Sequence, residues 1–274
     1  MRRTRRMSTL RRAVRFWLLL GCFVSFWIGG VTLAWSYAPV MWLLDRDRLR
    51  RRRRVQRVVR ECFRIFHVLL RALRLVDLRP SSALLGLAPR PRMLVSNHPT
   101  LVDVTGILST VDDACCVIKP SIMRNPLIGP LLRLAGHVDG GRGDPASGAA
   151  ALQACLDRLT EGFSVLIFPE GTRSPVRGLH QFKRGAFELA ARGSVEVLPI
   201  FVRCEPAALG KGAMFWDFPA EPAVLEIDVG DPIDSAIWSG KSRALRARVE
   251  SSYRERLGLP SANPATMSQP PPRI

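Results

Sequence analysis

Residues 164–174 read Ser-Val-Leu-Ile-Phe-Pro-Glu-Gly-Thr-Arg-Ser, and the organisation of the chain can be worked out from this stretch. Its first five residues are an apolar, strand-like run. The next six supply a carboxylate, a flexible glycine, hydroxyls and a guanidinium within about one turn, a mixture suited to an anionic polar group. In open α/β folds, binding sites lie on loops that leave the edge of the sheet. The stretch therefore predicts a binding loop at the end of a strand.

A second apolar run, residues 92–96, precedes residues 97–103, which read Asn-His-Pro-Thr-Leu-Val-Asp. His98 stands five residues before Asp103, so the segment offers a base with an orienting partner. Pro99 suits the first turn of a helix, which predicts His98 at or near the helix cap and Asp103 about one turn inside. From there Asp103 can reach back to one imidazole nitrogen and leave the other free to accept a proton.

The predicted elements alternate along the chain, which is typical of an α/β sandwich. We expect the folded domain to cover residues 80–259 and the Pro-rich segment 260–274 to be disordered. The predicted strands are 92–96, 114–119, 163–168, 195–203 and 223–229, and the predicted helices are 97–110, 126–135, 147–161, 183–192 and 241–257.

The basic residues are concentrated near the N-terminus. The formal charge is +18, and residues 1–60 contribute sixteen arginines against two aspartates, whereas the rest of the chain is close to neutral. The arginines flank the most hydrophobic stretch, which points to anionic lipid rather than nucleic acid as the partner. The six cysteines show no C-x-x-C pair and no clustering with the four histidines, so we expect reduced thiols and no metal site.

Residues 16–44 contain no charged side chain and predict a membrane segment, preceded by a basic cytoplasmic terminus at 1–15. One tilted transmembrane helix is the plain interpretation. Arginine crowds both ends, however, and a single span leaves Lys and Arg mainly on the cytoplasmic side. Division of the run at Gly29-Gly30 into two short helices would give a re-entrant hairpin, which we favour.

Residues 45–79 predict a basic amphipathic helix, because apolar residues recur at helical spacing and arginines occupy another face. Such a helix lies in the headgroup plane of a membrane. The alternative is an ordinary core helix with a solvated charged face, and the pattern does not separate the two.

At residues 97–103 and 168–174 the sequence resembles the glycerolipid acyltransferase family, typified by 1-acyl-sn-glycerol-3-phosphate acyltransferases. The family carries Asn-His-(four residues)-Asp as its catalytic block and Phe-Pro-Glu-Gly-Thr-Arg-Ser as its acceptor-binding block, and this chain matches the second block throughout. The resemblance runs from about residue 93 to residue 202. It implies a mixed sheet flanked by helices, preceded by an N-terminal membrane-embedded helical segment, with His98 and Asp103 as the catalytic pair.

The resemblance also implies a set of substrate-binding residues. Glu170 and Gly171 would shape the acceptor pocket beside Thr172, and Arg173 would pair with phosphate oxygens. The family's intermediate block has an Arg six residues after a Gly, and Arg142 has that spacing from Gly136 within an unusually polar, Gly-rich segment. A solvated loop residue is the alternative for Arg142. Lys183 would add a second cation at the start of the following helix, or is simply a solvated helix residue.

These features together predict a membrane-bound O-acyltransferase that transfers a fatty acyl chain from acyl-CoA or acyl carrier protein to a lysophospholipid, by default lysophosphatidic acid. No cofactor is expected, and the partners are the acyl donor and anionic membrane lipid. The expected location is a bacterial inner membrane, with the catalytic domain on the cytoplasmic face. Thr100 stands where the family more often has Ser, and the chain also resembles acyltransferases of aryl-polyene and xanthomonadin-type pigment lipids, so such an acceptor is the alternative. A non-catalytic membrane-anchored binder of anionic lipid or nucleic acid is a distant third.

Overall fold

The computed structural model describes residues 9–176 and 178–260. The predictions for the first eight residues and for the tail 261–274 therefore lie outside the described residues. Ten α-helices and seven strands are found in this part of the chain: α1 Thr9–Thr32, α2 Ala38–Leu44, α3 Arg48–Ala72, β1 Val76–Pro80, α4 Ser82–Leu85, β2 Met93–Ser96, α5 Asp103–Thr110, β3 Ala114–Ile118, α6 Pro120–Met123, α7 Gly129–Leu134, β4 Val138–Asp139, α8 Pro145–Thr160, β5 Ser164–Ile167, α9 Gly185–Gly193, β6 Val197–Glu205, β7 Ala223–Val229 and α10 Ser242–Arg256.

The seven strands form one sheet in the order β1-β7-β6-β2-β5-β3-β4. The five strands from β6 to β4 are parallel, and β7 pairs antiparallel with β6 and parallel with β1. The predicted mixed α/β sheet is confirmed. The central strands are buried on both faces, which is why they read as continuous apolar runs.

Helices cover both faces of the sheet, and alternate residues of β2 show the division. Leu94 points into a core that contains side chains of α1, α3 and α5. Met93 and Val95 point into a second core with α8, α9 and α10. This alternation follows from the two-residue period of a strand. The N-terminal helix belongs to the first core, because Leu19 and Cys22 of α1 are buried there.

The turn predicted at Gly29-Gly30 is wrong. The chain is helical from Thr9 to Leu44, with a π-helical turn at Leu33–Tyr37 between α1 and α2. A glycine costs a helix only about 1 kcal/mol relative to alanine, and the flanking apolar residues sustain the helix on both sides of the pair. The helix is long and apolar enough to cross a membrane, and few of its residues are buried within the protein.

The helix predicted over residues 45–79 is too long. It begins at Arg48, capped by the Asp47 carboxylate, and ends at Ala72. Arg74 has a φ of 53°, which stops the helix, and Val76–Pro80 then forms β1 against β7. The predicted domain start at residue 80 therefore cuts off a strand of the sheet. Much of the apolar face of α3, including Val55, lies against the protein rather than outside it.

Candidate active site

The two sequence motifs lie side by side at one edge of the sheet. β2 and β5 are parallel neighbours, so the loop after β2 and the loop after β5 leave the sheet at the same edge. We call residues 97–102 the first site loop and residues 168–184 the second site loop. The two loops are joined by hydrogen bonds, since Ser174 N donates to His98 O at 2.7 Å and His98 N donates to Ser174 Oγ at 3.0 Å. Sequence-distant residues are thereby held in one site.

His98 and Asp103 have the geometry of a base and its orienting partner. His98 Nδ1 lies 2.7 Å from Asp103 Oδ1. Asp103 is completely buried, whereas 19% of the His98 side chain is exposed. An imidazole that donates its Nδ1 proton to a carboxylate presents an unprotonated Nε2, which can accept a proton.

Backbone amides hold the Asp103 carboxylate in place. Thr100 N donates to Oδ2 at 3.1 Å and Val104 N donates to Oδ1 at 3.0 Å. The prediction of a helix that includes His98 is wrong, because α5 begins at Asp103 and Pro99 lies in the preceding bend. His98 is therefore a loop residue, and the helix start supplies the carboxylate rather than the base.

Phe168 fixes the plane of the His98 ring. The two ring centroids are 4.4 Å apart and the rings are inclined by 30°, a stacked arrangement. Sequence reasoning assigned Phe168 no role beyond the end of a strand. The signal that could have indicated a role was its position: Phe168 follows β5, and His98 follows the neighbouring parallel strand β2.

Asn97 is structural, and its contribution was not anticipated from sequence. Its side-chain amide donates to Val202 O at 2.8 Å, and its side-chain oxygen accepts from Val202 N at 2.8 Å. Asn97 is buried just beyond the end of β2, where the backbone ladder with β6 has ended. The amide side chain thus satisfies a backbone donor and acceptor of β6 and fixes the start of the first site loop.

Glu170 is buried, and its carboxylate hydrogen-bonds both site loops instead of facing solvent. One carboxylate oxygen accepts from the Ser174 hydroxyl and from His98 N, and the other accepts from His180 N at 2.8 Å. Burial raises the pKa of Glu170, although these hydrogen bonds oppose the shift. The predicted site residue is present, and its contacts give it a positioning role.

Arg173 lies beside the first site loop and is anchored by backbone. Its Nη1 donates to the carbonyl oxygens of Leu209 and Gly210, each at 2.8 Å. Leu209 O also accepts from Leu101 N at 3.1 Å, so one carbonyl holds both site loops. The other guanidinium nitrogens make no hydrogen bond within the described part of the chain and remain able to donate to a substrate anion.

Gly171 and Lys183 are in contact. Gly171 has a φ of 68°, and a side chain at this position would collide with the amino group of Lys183. Lys183 N donates to Pro169 O at 2.8 Å, which returns the second site loop to the sheet edge. Thr172 stands between Gly171 and Arg173 in sequence, and its hydroxyl makes no hydrogen bond with the residues that the structure describes. Lys183 and Arg173 thus supply two cations on one loop.

Arg142 stands apart from the other predicted site residues. It follows β4, the edge strand, and β4 is separated from β2 by β5 and β3. At about 4.8 Å per strand this places the two strands roughly 14 Å apart. The Arg142 side chain is exposed, and its backbone N donates to Ser147 Oγ at 2.9 Å. Arg142 therefore lies at the same carboxyl ends of the parallel strands as His98, but three strands away from it.

The other buried histidines are not part of this site. Burial lowers the pKa of His67 and of His137 to about 4, so both are neutral at physiological pH. His137 accepts from Cys116 N, and His67 bonds the Thr105 hydroxyl. Among the described residues, no three His, Cys, Asp or Glu side chains are grouped to hold a metal ion.

Comparison with known protein families identifies the region around the site. Residues 86–203 match the family model described as Acyltransferase. The chain is 40% identical over 110 residues to 1-acyl-sn-glycerol-3-phosphate acyltransferase LPAT1, chloroplastic, from Arabidopsis thaliana, which covers 40% of this chain and 31% of that protein. It is 36% identical over 115 residues to 1-acyl-sn-glycerol-3-phosphate acyltransferase alpha from Mus musculus, covering 40% of each. The chain spans about a third of the length of the first curated relatives that it matches.

A solved structure shares the fold over nearly the whole chain. The crystal structure of the 1-acyl-sn-glycerophosphate (LPA) acyltransferase PlsC from Thermotoga maritima aligns with a TM-score of 0.70 at 23% identity. The alignment covers 90% of this chain and 96% of that chain, so the likeness extends beyond the segment matched by the family model.

Proposed function

We propose that this protein is a membrane-bound O-acyltransferase that converts lysophosphatidic acid to phosphatidic acid, because residues 86–203 match the Acyltransferase family model and similar proteins are named 1-acyl-sn-glycerol-3-phosphate acyltransferases. The acyl donor is acyl-CoA or acyl carrier protein. The observation that carries this function is the contact between His98 Nδ1 and the buried Asp103, with the His98 side chain still 19% exposed. The relatives named for this reaction support the choice of acceptor.

The proposed reaction is a direct transfer. His98 Nε2 takes the proton from the acceptor hydroxyl as the oxygen attacks the thioester carbonyl carbon. A carbon–oxygen bond forms, the carbon–sulfur bond breaks, and the imidazolium returns the proton to the departing thiolate. Asp103 stabilises the imidazolium during the transfer, and Phe168 holds the ring in the plane that directs Nε2 outward. No covalent acyl-enzyme is required.

The cations of the second site loop would bind the acceptor phosphate. Arg173 uses the guanidinium donors that the Leu209 and Gly210 carbonyls leave free, and Lys183 supplies a point charge beside Gly171. A planar fork and an ammonium can together neutralise a phosphomonoester. Glu170 keeps the loops in register without contacting the substrate.

The N-terminal helix would bring the enzyme to its lipid substrate. The helix from Thr9 to Leu44 is apolar, and Trp17, Trp27 and Trp35 are exposed along it. Tryptophan favours the boundary between membrane and water. We place the protein at a membrane, with the catalytic domain on the cytoplasmic face of a bacterial inner membrane.

The test is acyl transfer by the purified full-length chain in detergent with labelled acyl-CoA or acyl carrier protein and lysophosphatidic acid. We expect labelled phosphatidic acid from the wild type and a loss of at least about a thousandfold for His98→Ala and for His98→Gln. Thermal unfolding would establish that both variants are folded. A folded wild type that acylates no lysophosphatidic acid would exclude this acceptor and direct the search to hydroxyls of pigment lipids. Undiminished transfer by both variants would refute the proposed mechanism.

A further inference from the structure

A basic cleft lies far from the two site loops, where the end of α2, the start of α3 and α7 meet. Its volume is about 410 Å³, within the range of small-ligand sites. The polar lining consists of Trp42, three arginines of α3 and one arginine of α7: Arg48, Arg51, Arg52 and Arg133. None of these residues belongs to either site loop.

The four arginines carry more positive charge than their surroundings neutralise. Arg52 is buried and forms an ion pair with Glu161. Arg51 and Arg133 each donate to a backbone carbonyl oxygen and have no carboxylate partner among the described residues. The Arg48 side chain forms neither a hydrogen bond nor an ion pair with the part of the chain that the structure describes. Arginines three and four residues apart on one helix face repel each other, so an anion in the cleft would stabilise the cluster.

Trp42 lines the cleft, and two further apolar residues follow it in sequence at the end of α2. Trp42, Leu43 and Leu44 are 63%, 69% and 72% exposed at the end of the apolar N-terminal helix. A soluble phosphate would make no use of these side chains. A ligand with a phosphate and a hydrocarbon portion would use both, with its anionic group between the arginines and its chains along the exposed leucines.

The cleft lies at the amino ends of the parallel strands, whereas His98 lies at their carboxyl ends. Arg52 pairs with Glu161, which precedes the amino end of β5, and it also contacts Gly136, just before β4. His98 follows the carboxyl end of β2, which runs parallel to β5. An anion in the cleft is therefore separated from the acceptor phosphate by the length of the strands, and the cleft cannot belong to the proposed catalytic centre.

We propose that this basic cleft is a binding site for the phosphate headgroup of an anionic membrane phospholipid that is not the substrate. The lipid bridges α2, α3 and α7 and fixes the end of the N-terminal helix relative to the domain. Arg48 is the arginine with the greatest freedom to bind it, because its exposed side chain has no hydrogen bond or ion pair to give up among the described residues. The site does not depend on the acyl-transfer reaction.

The test is native mass spectrometry of the full-length chain in nonionic detergent, titrated with phosphatidylglycerol and separately with phosphatidylcholine. We expect one phosphatidylglycerol to bind in preference to phosphatidylcholine. The triple variant Arg48→Gln/Arg51→Gln/Arg133→Gln should bind it at least about tenfold more weakly, because it removes three of the four positive charges that would face the headgroup. The matched control is Arg192→Gln/Arg243→Gln/Arg248→Gln, which removes three exposed charges from α9 and α10 and should bind as the wild type does.

Each other outcome overturns the proposal in a distinct way. Equal weakening in the test and control triples would mean that net charge alone attracts the lipid. Displacement of phosphatidylglycerol by equimolar pyrophosphate would identify a soluble phosphate as the ligand. If the triple variant fails to unfold cooperatively, Arg48→Gln alone decides the question, because this side chain is exposed and has no hydrogen bond or ion pair to lose among the described residues. Unchanged binding by that variant would refute the site.

Discussion

Replacement of Asp103 by Asn is the sharpest test of the catalytic geometry. The Asp103 carboxylate accepts from His98 Nδ1 and from the backbone amides of Thr100 and Val104, all within 3.1 Å. An asparagine has the same shape and can keep one of its oxygen contacts, but it carries no charge. The NH₂ group of the asparagine must either face one of these three donors or bind an unprotonated Nδ1. The second arrangement moves the imidazole proton to Nε2, which can then no longer act as the base. The change therefore removes the stabilisation of the imidazolium while preserving the volume of the site.

The expected magnitude follows from the contact itself. Two unit charges 2.7 Å apart attract by about 6 kcal/mol at an effective dielectric constant near 20. The His98 side chain is 19% exposed, so water screens part of this attraction. We therefore expect about 4–5 kcal/mol of lost transition-state stabilisation, a fall in kcat of about 10³ to 10⁴-fold. The KM for the acceptor should change little, because Asp103 is buried away from it.

The assay is the rate of phosphatidic acid formation by the wild type, Asp103→Asn, His98→Ala and the double variant. Residues that act as a unit give non-additive losses, so the double variant should be no slower than His98→Ala alone. Asp157→Asn on the exposed side of α8 is the control for the chemical change. Retention of more than about a tenth of the wild-type kcat by a folded Asp103→Asn, or additive losses in the double variant, would refute the reasoning.

Three further predictions test the surroundings of His98. Phe168→Ala should lower kcat about twofold to tenfold, because a stacked ring is worth about 0.5–1.5 kcal/mol, whereas Phe168→Tyr should keep most activity. A steady-state kcat of Phe168→Ala equal to that of the wild type would remove the ring from the mechanism. Asn97→Ala should lower the free energy of unfolding in urea by about 3 kcal/mol, since two buried backbone groups of Val202 lose their partner. Asn125→Ala, which gives up one hydrogen bond from Leu127 N at a half-buried position, is the control and should cost less. Burial raises the pKa of Glu170 above its unfolded value near 4.5, so the stability contributed by the protonated carboxyl is complete below that value and is lost as the pH rises through the folded pKa. The Tm of the wild type minus the Tm of Glu170→Gln should therefore fall from pH 4.5 towards neutrality, and a value that rises with pH would contradict the burial effect.

The sequence was most informative where one local signal decides the structure. The strand predicted at 163–168 is Ser164–Ile167, and the strand predicted at 195–203 is Val197–Glu205. A strand buried on both faces must be apolar throughout, so its pattern needs no knowledge of its neighbours. The proximity of His98 and Asp103 was also predictable, because only four residues separate them.

The errors concern features that tertiary contacts decide. Val76–Pro80 contains two charged residues and continues a helical pattern, and its pairing with β7 comes from residues nearly 150 positions away. The pair Gly29-Gly30 was given the meaning of a turn, although nothing approaches Gly29 and the flanking helix tolerates its cost. The roles of Asn97 and Phe168 likewise depend on partners 105 and 70 residues distant in sequence. No periodicity or spacing carries such information.

The segment that begins at Leu209 connects the two site loops to the N-terminal helix. The Leu209 carbonyl ties Arg173 and Leu101 together, and a few residues later the same segment places the Phe215 ring 5.1 Å from Phe23 of α1. The N-terminal helix and the two site loops are thus linked through one segment, residues 209–215. A fragment shortened by removal of α1 to improve solubility would lose the contact between Phe23 and Phe215. We expect the two site loops to be less well ordered in such a fragment, even when substrate is supplied in free solution.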